Sequence, residues 1–265
     1  MKRVFLTGAS SGIGLATAHA LLAHGDEVWG TSRNIEKLPR DNRFHPITLD
    51  LHDNRNVQDA FSHALGEAGH FDVVINNAGS GHFGPAELLS PEEIAEQFQL
   101  VFSAHVLLMQ LALAEMRQRE GGLIINVTSL ASLLPVPFMG AYNAAKSAMA
   151  SFTMSLQVEL GDSNVRVVDL QPADIRTNFN DAVTRNSAAG YKNRVAKIWE
   201  AVDKNMKSAP GPEVVARAIL KLIDQKNPPM RVIVGDLFQA KIAPFIFRFL
   251  PQRTRIWGLK KYYGL

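Results

Sequence analysis

The sequence predicts an α/β protein, a single domain whose seven strands form a parallel, doubly wound sheet with helices on both faces. Three observations carry that prediction. Short apolar runs alternate with longer amphipathic ones along most of the chain, as strand–helix–strand units require. Several short runs are continuously apolar and β-branched, which fits strands covered on both sides. The first of them enters a helical pattern through the glycine-rich turn Gly8-Ala9-Ser10-Ser11-Gly12-Ile13-Gly14, and no repeat or interdomain linker divides the 265 residues.

Strands are expected at Arg3–Thr7, Glu27–Thr31, Phe44–Leu49, Val73–Asn76, Leu123–Thr128, Val165–Leu170 and Arg231–Val234. Helical periodicity runs through Gly12–His24, Arg55–Gly69, Pro91–Arg119, Ala141–Leu160 and Pro212–Gln225. Ser90-Pro91-Glu92-Glu93 is a strong helix start, with a capping serine, proline at the first helical position and acids at the positive end of the dipole. Residues 176–210 break the rhythm with a polar, partly helical insertion. The sheet domain should therefore cover 1–235, followed by an extension at 236–265.

With 46% hydrophobic and 20% charged residues, and 19 glycines in no triplet period, the chain is globular rather than disordered or collagen-like. It has no cysteine, which removes disulfides, thiolate zinc sites and a cysteine nucleophile, and fits a reducing compartment. No uninterrupted apolar run approaches the ~18 residues of a spanning helix. The opening MKRVFL gives way to TGASSGIG instead of the long apolar region of a signal peptide. A soluble, cytoplasmic protein is expected. The eight histidines all precede residue 106 without a paired-ligand spacing, so no metal is expected. The formal net charge of +3 hides an asymmetry: residues 226–265 hold eight Lys and Arg against Asp236 alone, a balance of +7, leaving −4 to the rest. No basic stripe runs through the body, so a nucleic-acid partner is not expected.

The turn at 8–14 has the composition of an anion cradle, because glycines allow close backbone approach and the following helix points free N–H groups at a pyrophosphate. By itself such a turn also serves tight packing. The end of the second strand adds to the first reading. There stands Thr31-Ser32-Arg33, where an acid would hold a ribose 2′-hydroxyl and an arginine favours a 2′-phosphate. This favours NADP(H) over NAD(H).

Ser129 closes the fifth strand, and Tyr142 and Lys146 follow at the head of a helix, four residues apart and on one face. An ammonium beside a phenol stabilises the phenolate and lowers its pKa, and a serine at the adjacent strand end could hold a carbonyl oxygen with it. Alone, such a pair is more often surface stacking.

Taken in order, Thr7-Gly8-x-x-x-Gly12-Ile13-Gly14, Asn76-Asn77-Ala78-Gly79, Ser129, Tyr142-x-x-x-Lys146 and Pro172-Ala173-x-Ile175-x-Thr177 resemble the short-chain dehydrogenase/reductase family of standard length, over about residues 1–235. The resemblance implies a Rossmann fold and hydride chemistry. It makes Tyr142 the general acid in reduction and the base in oxidation, Lys146 the group that lowers its pKa and holds the nicotinamide ribose, and Ser129 the group that orients the carbonyl. It places Gly8, Ser10, Ser11, Gly12, Ile13 and Gly14 on the pyrophosphate and Arg33 on the 2′-phosphate. Asp50 and Leu51 go to the adenine edge, and Asn77, Ala78 and Gly79 to the adenosine ribose. Pro172, Ile175 and Thr177 go to the carboxamide and phosphate side. It also implies a homodimer or homotetramer.

Two positions depart from the family pattern. Ala173 stands where glycine is usual, so an extra methyl is expected to tighten the nicotinamide pocket. The usual helix asparagine is missing: Val101 occupies its place, and no Asn lies between Asn77 and Asn126. A carbonyl remains there, so a weakened proton relay is expected, with His105 one turn on read as a packed residue. The extension mixes aromatics with cations, and Pro244 and Pro251 interrupt any long helix. Its apolar side is expected to cover the substrate cleft or a subunit contact, with membrane-surface contact as the alternative. The expected activity is NADP(H)-dependent interconversion of a lipophilic carbonyl and its alcohol, with steroid- or retinoid-like compounds among the candidates. The competing reading is a non-catalytic NADP-binding redox sensor.

Overall fold

The computed structural model describes residues 1–119, 121–185 and 191–265. In chain order the elements are β1 (Arg3–Leu6), α1 (Gly12–His24), β2 (Glu27–Ser32), β3 (Phe44–Thr48), α2 (Asn54–Ala68), β4 (Val73–Asn76), β5 (His82–Phe83), α3 (Pro91–Phe98), α4 (Ala104–Gln118), β6 (Gly122–Val127) and α5 (Gly140–Leu160). Then come β7 (Val165–Pro172), β8 (Thr184–Arg185), α6 (Lys192–Ser208), α7 (Glu213–Asp224), β9 (Arg231–Val234), α8 (Ala243–Phe249) and α9 (Gln252–Tyr262). The seven predicted strands form one parallel sheet in the order β3-β2-β1-β4-β6-β7-β9. The chain winds outward from β1 to β3, returns to β4 on the other side of β1 and winds outward again. That reversal leaves a crevice at the carboxyl ends of β1 and β4, where ligands bind in open α/β sheets.

Register explains the two covered faces. Trp29, Phe5, Val74, Ile124 and Val167 lie side by side across five strands, and all five belong to one core with residues of α2, α4 and α5. The next row, with Leu6, Ile75, Ile125 and Val168, points the other way, against α1 and α7. Gly30 completes that row because a β-carbon there would collide with the Phe44 ring. In the first core Phe5 meets Phe61 at 5.1 Å and Phe71 at 5.4 Å between ring centroids. Truncating such a ring to alanine removes about 3–5 kcal/mol.

The predicted helix 91–119 starts as expected. The Ser90 hydroxyl accepts from the Glu93 N–H while the Glu93 carboxylate accepts from the Ser90 N–H. It is not regular throughout, because Gln99–Ser103 forms a π-helical turn between α3 and α4. Pro91–Gln118 is long and apolar enough to cross a membrane by length and composition alone, with a mean hydropathy of 1.4 over eighteen residues. Here its apolar residues Leu108, Met109, Ala112 and Met116 are fully buried against the sheet and α2.

A third, smaller core lies beyond the carboxyl ends of the strands. β5 pairs with β8, and Phe83, Met139, Tyr142, Val183, Val195, Ile198 and Tyr263 pack together. The predicted insertion therefore holds β8 and α6, while its residues 186–190 lie outside the described residues. The extension is broken at Pro251, which caps α9, but not at Pro244 as expected: the helical run of 237–249 passes through it, because Pro244 stands at the second position of α8, where no backbone N–H is needed, behind a π-helical turn at Phe238–Ile242.

Candidate active site

The turn between β1 and α1 is built for close approach. Gly8 and Gly12 have φ of 71° and 52°, the left-handed region. A β-carbon on Gly14 would collide with the Gly8 carbonyl oxygen and stand 2.6 Å from Asn77 Nδ2. The turn is clamped from β4: Thr7 Oγ1 accepts from the N–H groups of Asn77 (2.8 Å) and Ala78 (3.0 Å), and Asn77 Nδ2 donates to the Thr7 carbonyl at 2.9 Å. Asn77 thus turns its amide onto the loop backbone. The run Asn77-Ala78-Gly79 after β4 is as much a fastener of the glycine turn as a wall of the crevice.

That crevice is a cleft of about 600 Å³. It brings together every residue assigned from the sequence: the turn residues of 8–14, Arg33, Asp50 and Leu51, Asn77 to Gly79, Ser129, Tyr142 and Lys146, and Pro172, Ile175 and Thr177. Thr177 closes over the turn, since a β-carbon on Gly12 would be 3.3 Å from its own. Arg33 has company that the sequence reading missed, because Asn34 and Lys37 line the same end. The residues fit a dinucleotide phosphate: a cradle too close for any side chain at Gly14, a helix start with free N–H groups at Gly12, and cations where a 2′-phosphate would lie.

At the other end Ser129 follows β6 with its hydroxyl accepting from the Ala131 N–H at 3.0 Å, while Tyr142 and Lys146 project from the first turns of α5. Ser132, the rival hydroxyl, donates to the Ser129 carbonyl oxygen at 2.7 Å and is not part of the cleft wall. Lys146 Nζ donates to the Val127 carbonyl oxygen at 2.8 Å and lies 5.9 Å from the centre of the Tyr142 ring. Burial lowers Lys146 to about 8, opposed by the Asp169 carboxylate. Tyr142 corrects the sequence reading: burial raises it to about 12, against a smaller lowering by its hydrogen bond to Ser129. The lysine is turned to a carbonyl, and desolvation of the phenolate dominates.

The two departures acquire places. Val101 sits fully buried in the π-helical turn, and its carbonyl oxygen meets His105 Nδ1 at 3.3 Å. His105 is buried as expected of a packed residue. Burial and the charge of Lys146 bring it down to about 3, so it is neutral at physiological pH. Among the described residues, its Nε2 and the nearby Asn76 Oδ1 have no hydrogen-bond partner. Ala173 lines the cleft beside Pro172, and its methyl has a second neighbour. It packs against Gly235, where a β-carbon would be only 2.5 Å from it.

Comparison with known proteins agrees with this arrangement. The family model described as short chain dehydrogenase matches residues 2–188. The chain belongs to the short-chain dehydrogenase/reductase family. Among its relatives is the 3-ketodihydrosphingosine reductase of Bacteroides thetaiotaomicron, 31% identical over 99% of this chain and 98% of that protein. Another is the uncharacterized oxidoreductase YbbO of Escherichia coli, 30% identical over 96% and 92%. A short-chain dehydrogenase of Streptomyces avermitilis superposes with a TM-score of 0.83 at 28% identity, covering 99% of this chain and 96% of that one.

As a short-chain dehydrogenase/reductase, the chain is an oxidoreductase, and the parts of its cleft outside the family motifs carry the individuality. Met139, Phe179, Val202, Met206 and Tyr263 form an apolar wall around Tyr142, whose ring is 5.6 Å from that of Phe179. None was singled out from the sequence, for they come from four separate segments. Phe138, beside Met139, has φ of 63°, rare for a bulky residue, and its carbonyl oxygen accepts from the Gly84 N–H at 2.8 Å.

Proposed function

We propose that the protein is an NADP(H)-dependent reductase that interconverts a lipophilic, long-chain ketone or aldehyde and its alcohol, with Ser129, Tyr142 and Lys146 as the reacting residues. The observation that carries this reading is the junction of Ser129, Tyr142 and Lys146 with an apolar wall in one cleft. The bound NADPH supplies the hydride. Tyr142 donates its phenolic proton to the substrate oxygen, which receives a second hydrogen bond from the Ser129 hydroxyl. The Lys146 ammonium, anchored on the Val127 carbonyl, stabilises the phenolate left behind. In oxidation the same groups run backwards, with Tyr142 as base.

Arg33 and Lys37, with uncharged Ser32 as the last residue of β2, support NADP(H). The 31% identity to a 3-ketodihydrosphingosine reductase along the full chain supports a long-chain ketone as first substrate. The reading keeps a cytoplasmic protein acting as a homodimer or homotetramer, which fractionation and light scattering check.

The test is NADPH consumption with 3-ketodihydrosphingosine and a panel of long-chain ketones and aldehydes, run beside NADH and the Tyr142→Phe variant. Turnover with NADPH that the variant lacks is expected. Tight NADPH binding with no turnover on any carbonyl would overturn the reductase and leave a redox sensor.

A further inference from the structure

Residues 238–249 form a helix, π-helical at Phe238–Ile242 and α-helical at Ala243–Phe249, in which no residue is fully buried. From Ile242, which caps α8, at about 100° per residue, Ile242, Phe245, Ile246 and Phe249 fall within an arc of about 100°, with Arg248 along its edge and Lys241 in the π-helical turn just before it. Phe245 is 67% exposed and Phe249 69% exposed. Leu237 and Phe238 continue the apolar surface, and Trp257 in α9 is 62% exposed. Of the two places expected for the apolar side, the cleft or a subunit contact, the cleft receives Tyr263, with Leu259 in the third core beside it, while Ile242, Phe245, Ile246 and Phe249 stand exposed on the single chain.

The side of the extension that carries Gln239 is fastened close to the reaction centre. Gln239 Oε1 accepts from the Asp174 N–H at 3.3 Å, and its Nε2 donates to the Asp174 carboxylate at 2.5 Å and to the Tyr262 hydroxyl at 3.0 Å. Tyr263 lines the substrate end of the cleft. An apolar helix face with cations on its edge is therefore held next to the apolar end of the cleft.

We propose that residues 237–257 dock on an anionic phospholipid surface, with Phe245, Ile246 and Phe249 entering the headgroup boundary and Lys241 and Arg248 pairing with lipid phosphates. The charge of the segment selects this occupant. Residues 237–257 carry Lys241, Arg248, Arg253 and Arg255 and no acid, in a chain of net +3. A two-fold contact with a second copy would set that cationic patch against itself, whereas anionic lipid complements it. Docking there presents the lipophilic end of the cleft to the phase that dissolves its substrate.

The experiment is co-sedimentation of the full chain with vesicles of phosphatidylcholine alone, or of phosphatidylcholine and phosphatidylglycerol in equal parts, at low and high salt. Pelleting with the anionic vesicles at low salt, reduced by salt and lost with neutral vesicles, is expected. The paired variant Lys241→Glu/Arg248→Glu should weaken the apparent affinity at least about 25-fold, at about fivefold per cation. Phe245→Ser/Phe249→Ser should weaken it as well, with an unchanged melting transition by circular dichroism. No pelleting of the natural chain with anionic vesicles at low salt would overturn the proposal. So would paired variants that pellet like the natural chain, or a natural dimer that both variants break, which would assign the face to a second copy. Binding is read without turnover, so it stands or falls apart from the reductase reading.

Discussion

His105 offers a measurement of how dry the interior beside Lys146 is. Its side chain is 2% exposed, bonded on one nitrogen only, and depressed to about 3 by burial and by Lys146. In the unfolded chain a histidine titrates near the unperturbed value of about 6.5. Between these values the unfolded state binds a proton that the folded state refuses. Stability from this residue is complete above about pH 6.5 and is lost as the pH falls toward 3. At about 1.4 kcal/mol per pH unit, the loss at pH 5 is about 2 kcal/mol. The assay is urea unfolding at pH 7 and pH 5 for the natural chain and for His105→Gln, which keeps a donor but cannot charge. His24, raised by Asp26, acts in the opposite sense, but it is present in both proteins and cancels in the difference. The stability gap between the two proteins should shift by about 2 kcal/mol in favour of the variant at pH 5. A gap that does not change with pH would refute the reasoning and show that His105 reaches solvent or takes up its proton at no penalty.

Lys146 loses its charge above about pH 8, so kcat for reduction should be level below that pH and fall above it; a profile still level at pH 10 would exclude its role on Tyr142. Gly14→Ala should abolish NADPH binding, read by fluorescence titration, because its methyl collides with the Gly8 carbonyl. Arg33→Ala should raise the KM for NADPH about 10- to 100-fold, the value of a charge-assisted phosphate contact, and leave that for NADH unchanged. Gly235→Ala should lower kcat by pushing on Ala173 and so on the loop Pro172–Ile175, and Ala173→Gly added to it should restore the rate.

The sheet was legible because each strand carries its own signal. Alternation of Val4, Phe5 and Leu6 sends neighbours to opposite cores, and burial on both faces makes the run apolar throughout. The cleft was legible for a related reason: its motif residues sit at strand ends and helix starts that the same periodicity locates. What escaped were features assembled across segments. The π-helical turn at Gln99–Ser103 adds a residue to one turn without any breaker, and the amphipathic pattern on either side reads through it. Two-residue strands such as β5 and β8 have too few positions to show a period. The rise of Tyr142 to about 12 depends on how completely α5 and its neighbours enclose it, which four-residue spacing cannot express.

The position of Ala173 joins these strands of argument. A methyl after Pro172 looks, in the sequence, like an intrusion on the nicotinamide side. In the fold it meets Gly235 at the end of β9, the residue that turns the chain into the extension. One residue on, Asp174 is half-buried and its carboxyl is raised by that burial, and Gln239 and Tyr262 of the extension supply its hydrogen bonds. Two consecutive residues of the loop are thus fitted to the extension, one by shape and one by polar contacts. The loop that borders the reacting end of the cleft has no position independent of residues 235–263. A change in how those residues are held, whether by a substitution or by a bound surface, has a short covalent and hydrogen-bonded route to Ile175 and Thr177.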